Sequence, residues 1–116
     1  MRIGVTGASG FIGSYLTRAL KNHGKVATLS RGKSLPSLAH LKSFVSGVNL
    51  FFHLGGVNRG TSVDILTGNV TGTLRLLEAI KRYGEPYARI LFASSSQVYR
   101  LKNRVRKAGY TNQIFS

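Results

Sequence analysis

Residues 2–13 read Arg2-Ile3-Gly4-Val5-Thr6-Gly7-Ala8-Ser9-Gly10-Phe11-Ile12-Gly13. Arg2 to Thr6, with apolar Ile3 and Val5, predicts a short buried strand. Glycines at 7, 10 and 13 follow, and Phe11 to His23 then carries Ile12, Leu16 and Leu20 on one helical face. Gly7 lets the chain turn sharply out of the strand. Gly10 has no side chain to keep an anion from the backbone N–H groups, and Gly13 lets the helix pack close to the sheet. A helix starting near Phe11 aims its positive end at that anion. Strand, glycine turn and helix in this succession predict a cradle for the pyrophosphate of a dinucleotide.

The pattern continues in both period and order. Gly24 is placed to end the first helix. Val26 to Leu29 reads as a second strand, residues 30–37 as a loop, and Leu38, Leu41, Phe44 and Val45 as a short helix. Val48 to Leu54 is an apolar run suited to a strand covered on both faces, and Gly55 and Gly56 end it. Asp64 to Tyr83 predicts the longest helix, with Leu66, Val70, Leu74, Leu77 and Ile80 as its core stripe. Ile90 to Ala93 predicts a fourth strand running into Ser94, Ser95 and Ser96. Strands alternating with helices give the α/β class: a Rossmann-like, doubly wound parallel sheet with helices on both faces. Right-handed crossovers predict four strands in the order 3-2-1-4, about half of a full doubly wound sheet. Residues 1–99 form the expected domain and 100–116 a basic carboxyl-terminal tail.

The charge balance narrows the partners. Seventeen Lys and Arg stand against three acids in 116 residues, a net charge of +14, which draws polyanions. Arg100, Lys102, Arg104, Arg106 and Lys107 crowd the start of the tail. Nucleic acid is nevertheless disfavoured as a partner, because no aromatics interleave with that run to stack on bases. The absence of cysteine excludes a disulfide framework and thiolate metal sites, and is compatible with a reducing cytoplasm. No metal is expected, since His53 stands far from His23 and His40. No signal peptide and no membrane span are expected, since the longest apolar stretch is too short to cross a bilayer.

The cofactor type is read after the second strand. An acid there would receive the ribose hydroxyls of NAD, whereas an arginine would receive the 2′-phosphate of NADP. The sequence is Ser30-Arg31-Gly32-Lys33, with no acid before Asp64. Arg31 can fork onto phosphate oxygens, which favours NADP over NAD.

With Thr6 before the turn and Phe11-Ile12 inside it, the G-x-x-G-x-x-G segment resembles the extended short-chain dehydrogenase/reductase family. These are NAD(P)-dependent epimerases, dehydratases and reductases of nucleotide sugars. His53 to Arg59, followed by Gly68-Asn69-Val70, is similar to the capsular-polysaccharide sugar-nucleotide reductases among them. The resemblance implies a cofactor site made of Gly7, Ser9, Gly10, Phe11, Ile12, Gly13, Arg31, Leu54, Gly55, Gly56 and Asn69. It implies a structural role for His53. It also implies a serine at the end of the fourth strand that hydrogen-bonds the reacting substrate oxygen: Ser95, with Ser96 second. A nucleotide sugar would be the substrate.

A serine needs a partner acid or base. In the family this is a tyrosine with a lysine four residues on. Here Tyr15, Tyr83, Tyr87, Tyr99 and Tyr110 are followed at that spacing by Ala19, Tyr87, Leu91, Asn103 and Ile114. The resemblance thus covers residues 1–99, and the abrupt change into the tail predicts a truncated or frame-shifted reading frame. The expectation is an NADP-binding domain, catalytically incomplete alone. Its alternatives are half of a split oxidoreductase, completed by a partner chain or a second copy, and a basic nucleic-acid-binding protein.

Overall fold

A computed structural model describes residues 1–30, 35–56 and 60–93. β1 (Arg2–Thr6) forms as predicted, and everything beyond Arg2 in it is buried. α1 spans Phe11–Leu20, β2 Lys25–Leu29, α2 Leu38–Val45 and β3 Leu50–His53. α3 (Ser62–Leu66), a π-helical turn (Thr67–Thr71) and α4 (Gly72–Tyr83) lead to β4 (Arg89–Phe92). α1 stops short of the expected His23. Gly24 serves the next strand instead: a Cβ there would collide with the Met1 carbonyl oxygen, which accepts the Lys25 N–H.

All four strands are parallel, but their order is β2-β1-β3-β4 rather than the expected 3-2-1-4. The chain goes from β1 to β2 on one side, then returns across β1 to lay β3 on the other. The composition of the strands accounts for this. β1 is apolar enough to be enclosed, while Lys25 and Thr28 of β2 stay exposed, as suits an edge. Asn49, which interrupts the apolar run, fixes the return. Its side chain accepts the Arg2 N–H at 2.9 Å, its N–H donates to the Arg2 carbonyl at 2.8 Å, and its carbonyl accepts the Arg89 N–H at 3.0 Å. One residue ties the starts of three strands.

Right-handed crossovers that reverse direction place α1 on one face and α2 and α4 on the other. The larger core lies beneath α2 and α4, where Leu29, Leu41, Phe44, Val45, Val48, Phe51, Leu76 and Ala79 cluster. The rings of Phe44 and Phe51 meet at 5.8 Å. α1 packs on β1 and β2, and Leu91 and Phe92 of β4 are 54% and 64% exposed.

The expected Asp64–Tyr83 helix forms as a continuous helical run through the π turn, and its core stripe is corrected. Leu66, Val70, Leu74 and Leu77 are exposed, while Leu76 and Ala79 are buried and Ile80 and Tyr83 pack against the cluster. The π turn adds a residue to its turn, so a 3.6-residue stripe does not run through it in phase. Its sequence, Thr-Gly-Asn-Val-Thr, is rich in weak helix formers. A capping box starts α3, with Thr61 Oγ1 accepting the Asp64 N–H and Asp64 accepting the Thr61 N–H, both at 3.2 Å.

Candidate functional site: a crevice between two glycine loops

The strand order puts the reversal point between β1 and β3, and open parallel sheets bind ligands outside the carboxyl ends of the strands at that point. Two glycine loops leave the sheet there. Gly7 has φ of +69°, a conformation that disfavours a side chain. Its N–H donates to the Leu29 carbonyl at 2.9 Å, and its carbonyl accepts the Gly10 N–H at 3.1 Å. Gly10 is the N-cap of α1, in extended backbone, and the first helical bond runs from Ser14 N–H to Gly10 oxygen at 2.9 Å. A Cβ on Gly13 would collide with the Gly7 carbonyl oxygen, so the helix can approach the turn only with glycine there.

No side chain hydrogen-bonds the cap of α1 and no acid stands in its first turn. The leading N–H groups of a helix without such partners, at the positive end of its dipole, suit an anion. Among the described residues, a Cβ on Gly10 would meet only the Gly7 carbonyl, at 3.3 Å, within 4 Å. Ser9 and Gly10 are exposed, and Phe11 and Ile12 are 81% and 67% exposed. A phosphate oxygen therefore has open access to the turn, and the residues fit a dinucleotide pyrophosphate.

The second loop is Leu54-Gly55-Gly56. It touches the first: a Cβ on Gly7 would lie 2.8 Å from the Gly55 nitrogen. The Gly55 N–H donates to Thr6 Oγ1 at 2.9 Å. The π turn carries Asn69 to this loop, where a Cβ on Gly56 would stand 3.0 Å from Asn69 Oδ1. Thr6, Gly7, Leu29, Leu35, Pro36, Gly55, Gly56, Gly68 and Gly72 line a recess of about 60 Å³ between the loops. A larger hollow, about 770 Å³, opens among Met1, Asn49, Tyr87 and Arg89 at the opposite ends of the strands. Those are the amino-terminal strand ends, opposite the two glycine loops.

His53 is buried behind the crevice. Its Nδ1 lies 2.6 Å from Thr6 Oγ1 and its Nε2 2.9 Å from Thr73 Oγ1. Burial pushes its pKa below the ordinary 6.5, because a charged imidazole would lose its hydration. The hydroxyls of Thr6 and Thr73 were missed by reading the sequence for site residues. The available signal was a threonine closing an otherwise apolar strand, in register with a histidine closing another. Of the expected site residues, Gly7, Gly55 and Gly56 line the recess; Ser9, Gly10, Phe11, Ile12 and Gly13 continue from Gly7 through the turn into α1, and Leu54 and Asn69 adjoin the second loop. Arg31, Lys33, Asn58, Arg59, Ser95, Ser96 and the tail lie outside the described residues.

The family model described as NAD dependent epimerase/dehydratase family matches residues 3–113. A UDP-2-acetamido-2,6-beta-L-arabino-hexul-4-ose reductase from Pseudomonas aeruginosa is 33% identical over 98 residues, covering 84% of this chain and 26% of that protein. A uronate dehydrogenase from Pseudomonas putida is 29% identical, covering 90% of this chain and 45% of that protein. Among solved structures, MoeE5 in complex with UDP-glucose and NAD is 31% identical with a TM-score of 0.71, covering 85% of this chain and 38% of that one. Uronate dehydrogenase from Agrobacterium tumefaciens is 29% identical with a TM-score of 0.66, covering 84% of this chain and 41% of that one. The chain thus spans less than half the length of each of these relatives.

Proposed function

Because the chain belongs to the NAD dependent epimerase/dehydratase family, we propose that it binds a nicotinamide dinucleotide, with the pyrophosphate on the Gly7–Gly13 turn. The observation that carries this reading is the open, uncapped start of α1, reached from a glycine turn whose Gly7 touches the Gly55 loop at the reversal point of the sheet. The dinucleotide, when bound, would supply hydride chemistry. The chain's own part is to hold the pyrophosphate and to keep the two glycine loops in contact. NADP is the preferred form, supported by Arg31 following β2 and by the lack of any acid before Asp64. Residues 1–99 are the proposed binding domain and 100–116 its basic tail, working in the cytoplasm.

The domain is catalytically incomplete alone. Ser95, with Ser96 second, is its one proposed contact with a reacting oxygen, and no Tyr-x-x-x-Lys stands in the chain to move the proton. A nucleotide sugar is the proposed substrate of the complete machinery, supported by the UDP-sugar ligands of a structural neighbour. A second reading, completion by a partner chain or a second copy, is supported by the exposure of all four residues of β4.

Titration of the purified chain with NADPH and NADH tests the proposal. Binding of NADPH tighter than NADH, and a reversed or lost preference in Arg31→Glu, is the expected result. A melting temperature unmoved by saturating NADPH and NADH would overturn it, because any ligand of the native state raises stability by mass action.

A further inference from the structure

Thr6, His53 and Thr73 come from β1, β3 and α4, and their side chains form one line of hydrogen bonds behind the crevice. Proton counting gives the line a direction. A hydroxyl has one proton to donate. Thr6 Oγ1 already accepts the Gly55 N–H, and among the described residues the acceptor facing its proton is His53 Nδ1. Nδ1 is therefore bare, and Nε2 carries the ring hydrogen and donates it to Thr73 Oγ1. Neutral His53, as the Nε2–H tautomer, satisfies all three partners.

We infer that this relay is a positioning device for the cofactor: Thr73 and neutral His53 orient the Thr6 hydroxyl, whose oxygen pins the Gly55 loop against Gly7, and protonation of His53 releases that loop. The inference rests on reading the crevice as a dinucleotide site. A protonated imidazole donates from both nitrogens. Thr6 Oγ1 can accept from the imidazolium and from the Gly55 N–H together, but its own buried proton then has lost its acceptor. Relief requires the Thr6 side chain to turn toward another acceptor. That turn carries Oγ1 away from the Gly55 N–H and loosens the contact at which the two loops meet.

The charged groups around the ring do not oppose this sense. On β1, Arg2 pairs with Lys25 at the far end of the strand. On β4, Arg89 stands opposite Leu50, while Phe92 faces His53 with ring centres 5.5 Å apart. On α4, Arg75 is half-buried two residues beyond Thr73, and Glu78, Lys81 and Arg82 are exposed. Burial is the cause acting on the imidazole, and it favours the neutral form.

Two readouts on the full chain without ligand decide the relay. Imidazole nitrogen chemical shifts are expected to report the Nε2–H tautomer. Exchange of the Gly55 amide hydrogen is expected to accelerate about tenfold as His53 protonates, the loss of roughly one hydrogen bond's protection. The third readout is affinity for NADPH, expected to weaken about tenfold across the same titration, as one lost hydrogen bond implies. Thr73→Val should weaken binding and displace its pH profile, and Thr73→Ser should restore both. An Nδ1–H tautomer, or Gly55 exchange indifferent to the His53 titration, would overturn the relay. If NADPH and NADH fail to bind at every pH while the ligand-free readouts behave as expected, the dinucleotide reading falls and the positioning role falls with it, leaving a structural relay only.

Discussion

Adding one methyl group at Gly10 separates anion binding from folding. Gly10 has φ −75° and ψ 175°, extended backbone that alanine adopts without strain. The new Cβ would sit 3.3 Å from the Gly7 carbonyl oxygen and, among the described residues, otherwise face open space, so the turn needs to give by only a few tenths of an ångström. Alanine is a poorer N-cap than glycine, and the two effects together cost about 1 kcal/mol. That corresponds to a fall in melting temperature of about 4–8 °C for a domain of this size. Binding should suffer more. The methyl occupies the space through which a phosphate oxygen reaches the first N–H groups of α1, and a hydrogen bond to a charged group contributes about 1.5–3 kcal/mol. Losing one weakens affinity roughly 10- to 150-fold. Parallel calorimetric titration with NADPH and thermal melting of wild type and Gly10→Ala measure both effects. Gly7→Ala is the contrast: positive φ and a Cβ 2.8 Å from the Gly55 nitrogen should destabilise the fold itself. A folded Gly10→Ala protein that binds NADPH as tightly as wild type would refute the pyrophosphate assignment.

His53 should make stability depend on pH. Its pKa is lower folded than the 6.5 of the free side chain, so its contribution is full above 6.5 and is lost as pH falls from there through the folded value; urea melts across that range should show it, and His53→Gln should flatten the dependence. Leu76→Glu should prevent folding, since it puts a charge into the core beneath α4, whereas Leu77→Glu on the exposed side should shift the melt little; circular dichroism distinguishes the two. Thr61→Ala removes the acceptor that caps α3 and should cost about 0.5–2 kcal/mol in a denaturant titration.

What could be read from the chain was local. β1, the glycine turn and the start of α1 are contiguous, and each glycine acts within a few residues of itself, so residues 2–13 carry their own geometry. The lateral direction of a crossover has no such signature. The apolar run from Val48 to Leu54 announces a buried strand but not which side of β1 it joins, and that choice is made by Asn49 bonding to Arg2, 47 residues away. The stripe of Leu66, Val70, Leu74 and Leu77 misled because periodicity marks an apolar face without saying whether the sheet covers it: Leu74 and Leu77 lie in α4 beside Leu76 and Ala79, and only the latter meet the core. Leu76, Ala79, Ile80 and Tyr83 form an equally regular stripe within α4 and are the ones that pack. The Thr6–His53–Thr73 line was illegible because its members become neighbours only once the register between β1 and β3 is known.

The corrected strand order changes what the crevice is made of. In the expected order, β4 would flank β1, and the serines after it would stand beside the glycine turn. In the observed order β3 intervenes, so the wall facing Gly7 is the Gly55–Gly56 loop, a second glycine surface with its own backbone N–H groups. β4 ends one strand further out, with the Ala93 N–H on the His53 carbonyl at 3.1 Å. Two strand spacings put the end of β4 about 10 Å from the end of β1. A pyrophosphate held at Gly7–Gly13 would therefore lie about two strands from the end of β4, a span that an extended ligand could bridge. A dinucleotide is such a ligand, with its phosphates near the middle and its reactive ring at one end. The order that contradicted the expectation thus fits the proposed division of labour, with the anion at β1 and chemistry, where it is completed, beyond β4.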